Sequence, residues 1–225
     1  MELKGKKINF LGDSITEGHG TSSSECCFTS ILKKEYGLAE ARNYGIGGTR
    51  IAPQAKPSQD ERLDQNFCGR YACMDDDADI VVVFGGTNDF GHGDAPLGSV
   101  GDNTNDTFCG ACNMLYSGLR SKYPYSFIIV MTPTHRCNED NPRGDGYKKP
   151  GATLKEYVHV IKDIASKYSF PVLDLFEGEA AYELKEEYFP DGLHPDDKGH
   201  KVLARLIAEF IENLYESHNK MDILI

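Results

Sequence analysis

No apolar run in this 225-residue sequence exceeds five residues, a length reached by Ile80–Phe84. A membrane-spanning helix needs about 20, so no membrane span is expected. The opening Met1-Glu2-Leu3-Lys4-Gly5 lacks the apolar centre of a secretory leader, and a cytoplasmic location is the expectation. Positive charge is also scarce: 24 Lys and Arg stand against 35 Asp and Glu, a formal net charge of -11. The densest basic runs, Lys4–Lys7 and Lys148–Lys149, are short. A nucleic-acid binder needs a concentrated basic patch, so nucleic acid is not an expected partner, and neither is an acidic membrane surface. There is no internal repeat and no low-complexity tract. No Gly-Lys-Ser/Thr follows Gly45-Ile46-Gly47-Gly48, and no GxGxxG opens the helix after the first strand. A nucleotide-binding module therefore fails on its glycines.

Cysteine is present but not as a framework. Cys26, Cys27, Cys68, Cys73, Cys109, Cys112 and Cys137 are odd in number and form no ladder, which points to reduced, buried structural thiols. Cys109-Gly110-Ala111-Cys112 has CxxC spacing, but zinc would need two more ligands and redox work a strand-then-helix start. No metal and no cofactor is expected.

What is present is ordinary globular composition, 40% hydrophobic and 26% charged. The length suits a single domain over residues 1–225. Five short apolar runs alternate with helical segments. Ile8–Leu11, Asn43–Ile46, Ile80–Phe84, Phe127–Met131 and Val172–Leu175 read as strands. The β-branched continuity of the third implies a strand covered on both faces, as in a parallel sheet. Helices are expected over Phe28–Tyr36, ended by Gly37, over Phe108–Lys122, after the capping box Thr153-Leu154-Lys155-Glu156, and after Pro195. The alternation predicts a three-layer α/β/α sandwich with its loops along one ligand-binding edge. Two long polar connections, residues 91–106 and 134–152, should overhang that edge. The run Asp75-Asp76-Asp77 reads as a solvated turn, and His200 as a surface residue facing away from His194.

Three polar clusters sit where strands end or the last helix begins: Gly12-Asp13-Ser14-Ile15, Gly85-Gly86-Thr87-Asn88-Asp89 and Asp191-Gly192-Leu193-His194-Pro195. A serine hydroxyl attacks only when a base takes its proton. Ser14 is the candidate nucleophile, His194 the base, and Asp191, three residues earlier, the carboxylate that holds the imidazole tautomer. Oxyanion donors would be the Ser14 N–H, Gly48 N–H and the Asn88 side chain, with Gly45 and Gly47 as rivals to Gly48. Asp191 could instead be a turn former beside Gly192. His19, Phe90, His92, Tyr188 and Phe189 flank these clusters as pocket candidates, each equally readable as packing or surface.

These blocks resemble the SGNH hydrolase superfamily of GDSL lipases and esterases. Gly12-Asp13-Ser14-Ile15 resembles its first block, Asn43-Tyr44-Gly45-Ile46-Gly47-Gly48 its second, Gly86-Thr87-Asn88-Asp89 its third and Asp191-Gly192-Leu193-His194 its last, in family order. Ile15 stands where leucine is usual and Gly47 where many relatives carry serine. The resemblance implies a flavodoxin-like sandwich with a parallel five-stranded sheet of order 2-1-3-4-5. It also implies serine esterase chemistry through an acyl-enzyme, with Ser14, Asp191 and His194 catalytic. Ser14, Gly48 and Asn88 would form the oxyanion hole, and Asp13 and Asp89 would support the turns through backbone hydrogen bonds. Polar loop residues such as Asn103, Asn105, Asn138 and Asn141 tilt the expectation toward a short acyl group on a polar alcohol, as in a carbohydrate acetylesterase. A lysophospholipase or thioesterase for longer chains, and a non-catalytic binding protein on the same scaffold, are the alternatives. The oligomeric state is left open.

Overall fold

The computed structural model describes residues 3–146 and 151–222; Lys148 and Lys149 lie outside them. Among the described residues five strands, β1 (Lys7–Gly12), β2 (Glu40–Gly45), β3 (Ile80–Phe84), β4 (Phe127–Met131) and β5 (Val172–Leu173), form one parallel sheet of order β2-β1-β3-β4-β5. The register pairs Gly12 with Gly45 and with Phe84, and Phe84 with Met131. The carboxyl ends of these strands therefore lie along one edge.

The pleat sends alternate residues to opposite faces, and the core divides accordingly. Ile80, Val82 and Phe84 pack with Ile8, Phe10, Ile129 and Met131 beneath α2 (Phe28–Glu35) and α7 (Asp197–Asp222). Val81 and Val83 pack with Leu11, Ile128 and Val130 beneath α5 (Phe108–Lys122) and α6 (Leu154–Lys167). The result is the expected three-layer sandwich. Helix α5 has the expected bounds, and its start is fixed by the Thr107 hydroxyl, which accepts from the Gly110 N–H at 3.0 Å. Helix α6 opens with Glu156 reaching back to the Thr153 N–H at 2.7 Å. Among the described residues, no helix is long and apolar enough to cross a membrane.

Several expectations need correction. Strand β2 starts at Glu40 rather than Asn43; it is an edge strand with no fully buried residue, so it lacks a hydrophobic signature. His200 is fully buried. Its Nδ1 accepts from the Phe28 N–H at 3.2 Å, its ring stacks on Phe28, and burial pushes its pKa down to about 4. Helical phase could not carry over from His194 because α7 begins only at Asp197. Asp75, Asp76 and Asp77 are exposed yet paired. Asp77 meets Lys7 at 2.6 Å and Arg42 at 2.8 Å, Asp75 accepts from Tyr44 at 2.7 Å, and Asp76 pairs with Lys122. All seven cysteines are free, but Cys73 and Cys137 are exposed rather than buried. Cys109 and Cys112 face the core from α5, where burial raises both thiol pKa values. Among the described residues no group of His, Cys, Asp and Glu could hold a metal.

Candidate active site

Ser14 opens α1 (Ser14–Glu17), a single helical turn directly after β1. A side chain at Gly12 would put its Cβ 1.9 Å from Thr16 Oγ1, so glycine is what lets the chain turn this sharply. The Asp13 carboxylate caps the turn by accepting from the Ile15 N–H at 3.1 Å. Asp13 is almost wholly buried, and that burial pushes its pKa up to about 7, with Asp89 adding to the rise and the Ile15 N–H and Arg70 opposing it. Arg70, the last residue of α3 (Phe67–Arg70), spans the carboxyl edge: it donates to Gly12 O at 2.6 Å, to Thr49 Oγ1 at 3.0 Å and to Tyr44 O.

The Ser14 Oγ lies 2.9 Å from His194 Nε2, across 180 residues of chain. His194 Nδ1 lies 2.6 Å from Asp191 Oδ2. The other Asp191 oxygen accepts from the Leu193 N–H at 2.9 Å and the His194 N–H at 2.7 Å. One carboxylate thus both shapes the turn and orients the ring it presents. These hydrogen bonds hold the Asp191 pKa down at about 2 against the opposing effect of its partial burial. The two roles left open for Asp191, turn former and partner of His194, are played together.

The Gly48 backbone sits at φ +72°, the left-handed region that favours glycine. The rival N–H groups are occupied: Gly45 donates to Asn43 Oδ1 at 2.8 Å, and Gly47 to Glu17 Oε2 at 2.7 Å. No described residue accepts from the Gly48 N–H. Asn88 lies in the first turn of α4 (Thr87–His92), buried, with its Nδ2 donating to Thr49 O at 3.0 Å. Asp89 accepts from the Ile51 and Ala52 N–H groups, both at 2.9 Å, and so ties the loop after β2 to the end of β3. Its burial raises its pKa to about 6 against those hydrogen bonds.

The pocket candidates separate. The exposed His19 ring lies 4.6 Å from that of His194, at the rim of the site. His92 closes α4, half-buried between Arg50 and Asn88. Phe90 is fully buried in the core against Tyr157, because α4 turns its ring inward. Tyr188 lines a groove with Ile31 and Tyr36 between α2 and α7. Phe189 lines a cleft of about 510 Å³ with Leu184, Gly192 and the polar residues 135–141. The overhanging loops meet over the edge: the Asp145 N–H donates to Gly91 O at 2.8 Å, and Arg136 pairs with Asp145 and donates to Thr87 Oγ1 at 3.2 Å. Sequence reasoning missed Glu17, Arg50, Arg70 and Arg136, whose contacts at this edge include partners 30 to 58 residues away, Gly47, His92, Gly12 and Thr87, and so leave no local spacing to read.

A hydroxyl, an imidazole and a carboxylate in hydrogen-bonded series, beside free N–H donors, form the arrangement used for acyl transfer from an ester to serine and then to water. The comparisons agree with that class. Residues 10–202 match the GDSL-like Lipase/Acylhydrolase family, and the chain belongs to it. A structure from Lactobacillus plantarum is 29% identical with a TM-score of 0.78, covering 94% of this chain and 98% of that one. A possible lipase from Chitinophaga pinensis is 22% identical with a TM-score of 0.67, covering 93% and 98%. A two-domain esterase active on acetylated mannans is 21% identical with a TM-score of 0.57, covering 94% of this chain and 50% of that one. No curated protein matches the chain. The chain is a serine-type carboxylic-ester hydrolase working through an acyl-enzyme.

Proposed function

We propose that Ser14 is the nucleophile, His194 the general base and acid, and Asp191 the group that orients His194 and stabilises its cationic form. The observation that carries this reading is the unbroken series from Ser14 Oγ to His194 Nε2 at 2.9 Å and from His194 Nδ1 to Asp191 Oδ2 at 2.6 Å. With the Nδ1 proton held by Asp191, Nε2 is a bare acceptor facing the hydroxyl. As Ser14 Oγ bonds to the ester carbonyl carbon, its proton passes to His194 Nε2. The Ser14 and Gly48 N–H groups and the Asn88 amide stabilise the tetrahedral oxyanion. His194 then protonates the departing alcohol, which leaves Ser14 acylated. Water, deprotonated by His194, releases the acid and restores the hydroxyl.

The substrate class favoured is a short acyl ester, acetyl above all, of a polar alcohol such as a carbohydrate. The cleft beside the Asp191 turn supports it, being lined by Asn138, Glu139, Asp140 and Asn141 with only Leu184 and Phe189 as large apolar walls. The fold is also one on which an acetyl-mannan esterase is built. Hydrolysis of p-nitrophenyl acetate by wild type and Ser14→Ala tests the nucleophile: loss of about 10³-fold or more in kcat is expected, and equal rates overturn the assignment. Comparing acetyl with octanoyl esters tests the substrate class; a strong octanoyl preference overturns it.

A further inference from the structure

Neither Arg50 nor His92 takes part in the acyl-transfer steps. Arg50, on the loop that follows β2, is only 2% exposed. Its Nη2 donates to Leu63 O at 2.8 Å, Asp64 Oδ1 at 3.1 Å and Ser58 Oγ at 3.3 Å. Its Nη1 stands 2.8 Å from His92 Nδ1. A guanidinium only donates. Nδ1 of His92 must therefore be the bare acceptor, and the ring proton of the neutral imidazole sits on Nε2. That Nε2 lies 3.2 Å from Asn88 Oδ1, one helical turn earlier on α4.

The orientation of the Asn88 amide is set independently from its other side. Thr49 O can only accept, so the group facing it at 3.0 Å must be Nδ2, which places Oδ1 toward His92. Arg50 from one direction and Thr49 from the other thus require the same arrangement: Arg50 donates to His92, His92 donates to Asn88 Oδ1, and Asn88 donates to Thr49 O. One Nδ2 hydrogen is consumed by Thr49, and the second remains for a substrate oxygen.

We propose that His92 is a positioning residue for the Asn88 oxyanion donor, with Arg50 selecting the tautomer that lets it act. The inference rests on the reading of Asn88 as an oxyanion donor. A flipped amide would turn its carbonyl oxygen toward the developing negative charge, and the His92 Nε2–H holds that oxygen away. Accepting at Oδ1 also polarises the amide, which strengthens donation from Nδ2. The buried Arg50 charge adds its field in the same sense. The benefit is greatest as charge accumulates on the substrate oxygen, so it falls on kcat rather than on KM.

The test is steady-state hydrolysis of p-nitrophenyl acetate by wild type, His92→Phe, His92→Ala, His92→Gln, Asn88→Ala and the His92→Phe/Asn88→Ala pair, with a thermal midpoint for each. Asn88→Ala should lower kcat by about 100-fold. His92→Phe and His92→Ala should each lower kcat by about 10-fold or more, with KM within about 3-fold of wild type, the cost of a misaimed group. His92→Gln, whose side-chain N–H can reach the same acceptor, should recover a clear part of that loss. In the Asn88→Ala background, His92→Phe should cost almost nothing further, because the group it positions is gone. If His92→Phe and His92→Ala keep wild-type kcat while Asn88→Ala is impaired, or if the losses multiply in the double variant, the positioning role is overturned and the Asn88 reading stands. If Asn88→Ala itself keeps wild-type kcat, the Asn88 reading falls, and the inference with it.

Discussion

Replacing Asp191 by asparagine separates the two tasks this carboxylate performs. Oδ1 accepts from two backbone N–H groups and shapes the turn, while Oδ2 faces His194 Nδ1. Asparagine keeps an acceptor for the first task and presents an NH₂ to the second. A donor facing Nδ1 forces the neutral imidazole to carry its proton on Nε2, which points that proton at Ser14 Oγ. The base is then blocked although the atoms have barely moved. In the serine-protease template the equivalent change costs about 10⁴ in kcat. Here the Asp191 side chain is 55% exposed, so water partly screens its charge and can help the ring rotate. The expected loss is correspondingly smaller, about 10²- to 10³-fold. Stability should hardly respond. A half-exposed ion pair contributes about 1 kcal/mol or less, which corresponds to a Tm change of about 2–4 °C for a chain of this size. The assay is kcat for p-nitrophenyl acetate at a pH where the wild type is fully active, with Tm measured on the same samples. A variant that keeps more than a tenth of wild-type kcat would refute the tautomer argument. A Tm lowered by well over about 4 °C alongside the loss of kcat would mean that the turn, and not only the proton position, had been lost.

Two further outcomes follow from the geometry. Gly48→Ala puts a Cβ at φ +72°, 2.4 Å from Leu63 Cδ2, so the backbone strain of about 1–2 kcal/mol is joined by a clash that a leucine rotamer can partly relieve. Thermal unfolding should show a lower Tm, and kinetics should show kcat falling more than KM rises; an unchanged kcat would remove Gly48 from the oxyanion hole. Asp13→Asn keeps the acceptor for Ile15 but removes a carboxyl whose pKa burial raises from 3.8 to about 7. An acid with a raised folded pKa binds a proton on folding between those values, so its contribution to stability is lost as pH rises through that window. The Tm of wild type minus that of Asp13→Asn should therefore fall between about pH 4 and pH 7 and level off above, and a flat or rising difference across that window would show that Asp13 titrates normally.

Much of this site was legible because its chemistry lies in short blocks at strand ends. Strand β3 announced itself by five consecutive buried β-branched or aromatic residues, as a central strand must, and the blocks after β1, β2 and β3 then fell on one edge by topology alone. Strand β2 was harder to place. As an edge strand it carries Glu40, Arg42 and Asn43, whose stabilising contacts are ion pairs and side-chain hydrogen bonds that leave no apolar period. The buried arginines were invisible for a related reason. Arg70 serves carbonyls 26 and 58 residues away, and Arg50 serves a histidine 42 residues away, so only the folded chain brings donor and acceptor together. His200 reads as a surface residue only if a helical phase is run backward through Pro195, where no helix exists. The Asp191 spacing was readable, but its double use, two backbone N–H groups on one oxygen and an imidazole on the other, needed coordinates.

The proposed mechanism requires an acyl group to pass through Ser14. The most direct measurement is peptide mass spectrometry after reaction with a p-nitrophenyl alkylphosphonate, which leaves a stable adduct on an activated serine. One phosphonylated site is expected, Ser14, formed by wild type and almost absent when His194 is replaced by alanine. A stoichiometric adduct on any other residue, or undiminished Ser14 labelling without His194, would contradict it.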